Sequence, residues 1–170
     1  GYRQLATNGI DLPVMNVFRL FSKLGPSQLV STSSAEIPLD KIMAEGVREA
    51  ADVSAIATRD SNGRLAILIW NYHDDDVAGP DAAVRLALKG IGGGNRNVTV
   101  WRVDGANANA FAAWKKMGAP QSLDANQYRQ LESASRLTPE PSRSLAVNKG
   151  AAEFDITVPR QGVLLVTLEK

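Results

Sequence analysis

The run Leu65–Tyr72 constrains this chain more than any other stretch, because laid out as a strand it is largely apolar on both sides. β-Branched and aromatic residues dominate it, Gly63 precedes it, and the acidic turn Asp74–Asp76 follows. Strand side chains alternate faces, so Leu65, Ile67 and Ile69 share one side and Leu68, Trp70 and Tyr72 the other. Such a strand is central and covered twice, by an opposing sheet and by another layer. It dictates the core of a β-domain and specifies no chemistry.

The neighbouring segments extend that reading. Val53–Thr58 pairs with Leu65–Tyr72 across Asn62-Gly63, a strong hairpin signal. Val84, Leu86 and Leu88 alternate with Arg85, Ala87 and Lys89, a half-buried strand. Gly90 to Asn97 reads as a flexible loop, followed by a strand Val98–Val103. Phe154, Ile156 and Val158 alternate with polar residues up to Pro159, and Val163–Leu168 is again apolar on both faces. Six or seven short strands separated by turn signals predict a mainly β protein, an antiparallel β-sandwich.

Two stretches carry helical spacing instead. In the first, Asp11 is the expected N-cap, Pro13 occupies the first turn, and Gly25-Pro26 ends the helix. Its Val14, Val17, Phe18, Phe21 and Leu24 form one apolar stripe, of a helix packed on its own domain or, since the later segments read mostly as strand, of one that belongs to another domain. The second is an insertion at residues 107–137. Phe111, Trp114 and Met117 lie three apart, with Gly118 as a C-terminal stop. A second helix starts at Asp124, with Gln127 completing a capping box and Leu123 stapled to Tyr128. The pair reads as a helical hairpin closing one edge of the sandwich, with Phe111, Trp114 and Tyr128 expected to be buried against the sandwich or a neighbouring domain. Between these features, residues 27–52 suggest only a short strand within Gln28–Thr32 and a weak helix within Leu39–Glu49.

The chain has 170 residues, enough for one domain with or without an appendage, and a formal charge of +1. That balance predicts neither nucleic acid nor an anionic membrane as partner. The absence of cysteine excludes disulfides and thiolate metal sites but leaves the compartment open. There is no apolar run of membrane-spanning length and no signal peptide. A start at Gly1 rather than Met fits a fragment, a processed product or an engineered boundary.

Several residues invite a functional reading. Asp74, Asp75 and Asp76 lack the ligand spacing and turn glycine of a calcium loop, so a solvated turn is expected. His73 is the one histidine and has no evident partner, which favours a surface or structural role. Gly90, Gly92, Gly93 and Gly94 suggest a phosphate loop, yet no Gly-Lys-Ser/Thr follows and the context is strand to strand. Ser27, Ser31, Ser33 and Ser34 read as a surface linker, with no nucleophile elbow. Asn97-Val98-Thr99 is a glycosylation sequon. Trp70, Tyr72 and Trp101 would make a sugar-stacking platform if exposed, although aromatic residues in strands are more often core. No catalytic residue, metal ligand or cofactor is assigned, and the substrate-binding residues stay unknown.

The segments Asn107–Phe111, Trp114–Pro120 and Gln127-Tyr128 with Leu131, taken together, resemble the helical insertion in the C-terminal sandwich of glycoside hydrolase family 39, which holds β-xylosidases and the related α-L-iduronidases. Gly1-Tyr2, Leu5, Asn8-Gly9-Ile10, Pro13 and Phe18 are similar to that family's passage into the last helix of its (β/α)8 barrel. Leu68–Tyr72 with Asp74 is similar to the central strand of the bacterial β-xylosidases. The resemblance implies that residues 1–26 end the barrel and that 27–170 form an accessory sandwich. The two catalytic glutamates would then lie upstream of Gly1, at the ends of barrel strands and about 5 Å apart. This portion would be structural and by itself inactive, with the barrel portion of the same enzyme as its partner and xylo-oligosaccharide reaching it through the barrel. Homo-oligomer contacts through 107–137 and a bacterial cytoplasmic or periplasmic setting are further implications. The other reading is a free-standing carbohydrate-binding module, or the corresponding part of an iduronidase-like glycosidase. A barrel helix argues for the enzyme part, and removing residues 1–25 is then expected to leave the sandwich folded.

Overall fold

The computed structural model describes residues 5–170; of the segment similar to a barrel passage, Gly1-Tyr2 lie outside the described residues. In chain order the elements are β1 (Ala6–Thr7), β2 (Ile10–Asp11), α1 (Pro13–Phe21), β3 (Ser27–Leu29), α2 (Leu39–Glu45), β4 (Asp52–Arg59) and β5 (Leu65–Tyr72). They continue with β6 (Ala82–Lys89), β7 (Gly94–Val103), α3 (Ala110–Lys116), α4 (Ala125–Ser135), β8 (Arg143–Val147), β9 (Ala151–Val158) and β10 (Val163–Glu169). The protein is mainly β and its strand pairs are antiparallel.

Leu65–Tyr72 forms the expected strand and lies inside a six-stranded sheet of order β3-β4-β5-β10-β7-β8. A two-stranded ribbon, β6-β9, covers one face of that sheet. Between the layers lie Leu65, Ile67 and Ile69 of β5, Val98 and Val100 of β7, and Leu164, Val166 and Leu168 of β10. Ile156 and Val158 of β9 and the half-buried Val84, Leu86 and Leu88 of β6 meet them from the ribbon. The two layers are thus unequal. The opposite face of the sheet carries a second core of Ala66, Leu68, Val103 and Leu165.

What covers that second face is α1. Leu20 is 0% exposed, and Val17 and Leu24 pack half-buried beside it. The single stripe expected of this helix is therefore divided. Val17 and Leu24 turn inward with Leu20, while Val14, Phe18 and Phe21 stay exposed. The expected Asp11 cap is also corrected: the N-cap is Leu12, and Asp11 instead sits in β2 and pairs with Arg19. Strand pairing of Thr7 with Ile10 draws Asp11 away from the helix end. Asn8 and Gly9 between them adopt φ of 48° and 79°, the left-handed pair that a two-residue hairpin turn requires.

Two further expectations change. The segment Gly90–Asn97 is not all loop, since β7 begins at Gly94, where Gly94–Asn97 pair with Val147–Ser144. The partner strand β8 shows little alternation because it lies at the sheet edge and only Leu145 and Val147 turn inward. The helical hairpin forms as expected, with Asn109 capping α3 and Asp124 and Gln127 forming the capping box of α4. Its apolar side, Ala110, Trp114, Met117, Leu123 and Leu131, gathers on Ile10 of β2 rather than on the sheet.

Candidate functional surface

A glycosidase site needs two carboxyl groups at a fixed separation in a dry cleft; the carboxylates that line a hollow here are solvent-exposed and share a lysine. A hollow of about 420 Å³ lies beside α2 and is lined by Glu36, Pro38, Lys41, Glu45, Arg48 and Glu49 among others. Lys41 Nζ lies 3.8 Å from Glu45 and 3.3 Å from Glu49, all of them solvent-exposed, so these carboxylates are compensated surface charges. Glu132 on α4 is exposed and pairs with Arg136 one turn on, at 3.6 Å. Among the described residues there is also no group of three or more His, Asp or Glu side chains that would hold a metal ion, and no helix long and apolar enough to cross a membrane.

The acidic turn after β5 is a structural tie. Asp74 Oδ2 accepts a hydrogen bond from Val47 N at 2.9 Å and lies 3.7 Å from Arg48 Nε. The Val47 N–H first, and then the Tyr72 hydroxyl, Arg48 and His73, hold the Asp74 carboxyl below its ordinary value. His73 is buried rather than on the surface and has partners the sequence did not reveal. Its Nδ1 accepts from Asp75 N at 3.0 Å, which leaves Nε2 to donate to Arg48 O at 2.8 Å. Gln161 closes the knot by donating to His73 O and Asp75 O.

A carboxyl depressed in the folded state contributes stability above its unfolded value and loses it as pH falls through the folded one. Protection of the Val47 amide, its exchange rate relative to the intrinsic rate at the same pH, is therefore expected to be high at neutral pH and to fall as pH drops below about 3.8, the unperturbed value for Asp74. An Asp74→Asn variant should exchange faster at neutral pH and lose that acid dependence; identical pH profiles in the two proteins would contradict the tie.

The proposed aromatic platform does not assemble. Trp70 is half-buried and its Nε1 donates to Asp52 Oδ2 at 2.6 Å. Trp101 is half-buried too, with Lys23 Nζ 5.1 Å from its ring centroid, and the intervening strand β10 separates the two rings. Tyr72 alone of the three is exposed.

The exposed apolar side chains lie elsewhere. Besides Val14, Phe18 and Phe21 of α1 they include Leu5, and on the helical hairpin Phe111 and Tyr128, at 47% and 37% exposure. Phe111 and Tyr128 are therefore not buried against the sandwich, of the two covers expected for them; Trp114 is half-buried as its neighbours in the hairpin core require. Phe111 stacks on Trp114 at 5.8 Å between centroids, and the Tyr128 hydroxyl donates to Asn8 O at 2.8 Å.

One side chain that the sequence pattern did not single out joins these elements. Asn16, 0% exposed, donates from Nδ2 to Ala108 O at 3.0 Å and to Ser135 O at 2.7 Å, while Arg19 donates to its Oδ1 at 3.1 Å. The helix α1 is thereby fixed to both ends of the insertion. A polar residue among apolar ones in a helix was the available signal.

The fold and the surface together describe a mainly β domain with two covered sheet faces and an apolar helix flank left open. The match to the family model for glycosyl hydrolases family 39 spans residues 1–152, and the chain belongs to that family. It is similar to a β-xylosidase of Caldicellulosiruptor saccharolyticus, with 29% identity over 170 residues, covering 99% of this chain and 32% of that protein. Among solved structures it resembles the family 39 enzyme of Xanthomonas axonopodis pv. citri, with a TM-score of 0.72 and 22% identity, covering 95% of this chain and 31% of that one. It likewise resembles a bacterial orthologue of human α-L-iduronidase, with a TM-score of 0.72 and 21% identity over 94% of this chain and 27% of that one. The chain thus spans about a third of the length of these relatives.

Proposed function

We propose that this chain is the C-terminal portion of a retaining β-xylosidase, which releases terminal β-D-xylosyl residues from xylo-oligosaccharides, and that it serves that enzyme as an accessory domain. The observation that carries this reading is the coverage. The chain aligns over 99% of its length with only 32% of a β-xylosidase, which leaves most of such an enzyme outside the matched part. The catalytic glutamates then belong to a (β/α)8 barrel formed by the rest of the protein. The outer flank of α1, with Phe18 and Phe21 exposed at 58% and 46%, is the surface that barrel would cover, as the last of its helices. Side chains of this kind exposed together are costly in water and favour association.

The test compares two proteins. The full-length protein is expected to cleave an aryl β-D-xyloside, and the isolated 170-residue chain to show no turnover. Turnover by the purified chain, abolished on replacing Asp74 or Glu132, would overturn the assignment. Cleavage by the full-length protein of an aryl α-L-iduronide in place of the xyloside would move it to the iduronidase branch.

A further inference from the structure

The hairpin in front of α1 depends on another part of the chain for its shape. β1 and β2 have two residues each, joined by Asn8-Gly9, and Leu12 N donates to Leu5 O at 2.9 Å where the hairpin closes. A two-stranded hairpin is at best marginally stable in water by itself. Residues 5–9 are exposed, and Ile10 turns into a core. That core belongs to the helical insertion, where Ile10 lies among Ala110, Leu131 and the half-buried Trp114.

The insertion also holds the tip of the hairpin. Tyr128 of α4 donates from its hydroxyl to Asn8 O at 2.8 Å. The same hydroxyl lies against Gly9, where a Cβ would come within 3.2 Å of it. Asn16, in the first half of α1, binds the Ala108 and Ser135 carbonyls at either end of the insertion. The insertion is thus seated on the N-terminal half of α1 and on the hairpin that leads into it. Chain direction gives that place a meaning. In a (β/α)8 barrel each helix is entered from a strand, and these strand-to-helix connections build the face that carries the active site. With α1 as the last barrel helix, the β1–β2 hairpin stands in such a connection.

Resting on the barrel reading of α1 given above, we propose that the β1–β2 hairpin forms part of the rim of the active-site mouth and that Tyr128 is a positioning residue which fixes its tip for substrate. Tyr128 acts through Asn8 and Gly9 and touches no reacting atom. A tip released from it has to be ordered each time substrate binds, which costs affinity. The carboxylates on the barrel strands keep their geometry meanwhile. Loss of the tie therefore raises KM and leaves kcat nearly unchanged, the pattern of a lost interaction that substrate and transition state use equally.

The test compares the full-length protein as wild type, Tyr128→Phe and Gly9→Ala, with an aryl β-D-xyloside as substrate. Tyr128→Phe keeps the ring and removes the donor. Gly9→Ala presses a Cβ on the same hydroxyl from a left-handed backbone of φ 79°. In each variant KM is expected to rise about two- to tenfold, the span that one net hydrogen bond supplies, with kcat within about twofold of the wild type. Amide exchange should accelerate at residues 7–10 and stay unchanged in β5 and β10. A merely structural tie would lower kcat, through the fraction of active enzyme, at unchanged KM. That outcome, or wild-type kinetics in both variants, overturns the inference while the xylosidase reading stands. Should Tyr128→Phe not fold, Gly9→Ala decides alone. A wild type that leaves the xyloside uncleaved overturns the xylosidase reading itself, and the inference with it.

Discussion

Removal of residues 1–25 is expected to abolish cooperative unfolding of the remaining chain. This reverses what the apolar stripe of α1 suggests in isolation, because the helix does more than offer a face to another domain. Leu20 is fully buried and lies with Val17 and Leu24 over Ala66, Leu68, Val103 and Leu165. Full burial of one such side chain contributes roughly 1.5–3 kcal/mol, and deletion would expose several on both sides of the contact. A domain's total stability is about 5–15 kcal/mol, so the loss is of the same order as the whole. Two polar ties go with it: Gly25 N donates to Thr58 Oγ1 at 2.8 Å, and Arg64 donates to Lys23 O at 2.9 Å. The outer flank behaves differently. Polar replacements at Phe18 and Phe21, which this domain leaves exposed, should change its own unfolding by no more than about 0.5 kcal/mol. Urea unfolding of residues 1–170 and 26–170 side by side decides the matter. A sigmoidal transition of undiminished steepness in the shorter chain would show that α1 is dispensable to the sheet.

The largest single-residue effect is expected at Asn16. Its two Nδ2 hydrogen bonds satisfy carbonyls at either end of the insertion, Ala108 and Ser135. Asn16→Ala leaves both acceptors without that donor in a buried setting, at about 1–3 kcal/mol for each group. Asn16→Asp preserves the shape and replaces the donor with an acceptor facing two carbonyls, so it should destabilise at least as much as alanine although Arg19 adjoins the other oxygen. The loss should also be local in origin. Exchange of amides in α3 and α4 should accelerate before that of β5 and β10, because the insertion is held to α1 and β2 while the central strands keep both layers. If Asn16→Asp unfolded at the same urea concentration as the wild type, the clamp would carry no weight. The substitution matters for function in the proposed enzyme because α1 and the hairpin carry the exposed Phe18, Phe21 and Phe111, and Asn16 fixes their relative placement.

The β elements were legible because period-two patterning and turn chemistry act locally. Leu65–Tyr72 was found to the residue, and the capping box at Asp124 and Gln127 formed as read. Strand β8 was not legible, because an edge strand with two inward side chains hardly differs from a loop. The same holds for the start of β7, where glycine and asparagine give no strand signal and only pairing with β8 makes one. Polar contacts at long range were invisible for a different reason. Nothing near His73 in sequence announces Arg48 O or Gln161, 25 and 88 residues away, and the partners of Asn16 lie 92 and 119 residues away.

By itself, then, the sequence determined the mainly β class, the doubly covered central strand, the helical insertion and the family to which they belong. Each of these rests on side-chain alternation, capping or motif order, which neighbouring residues carry. Only the tertiary structure decided which side of α1 the domain keeps for itself, that Asn16 locks that helix to the insertion, and that Arg96 lies buried on the inward side of β7. Those outcomes depend on which residues the sheet brings together across the whole length of the chain, and hydrogen-bond satisfaction and burial are properties of that assembly rather than of any one segment.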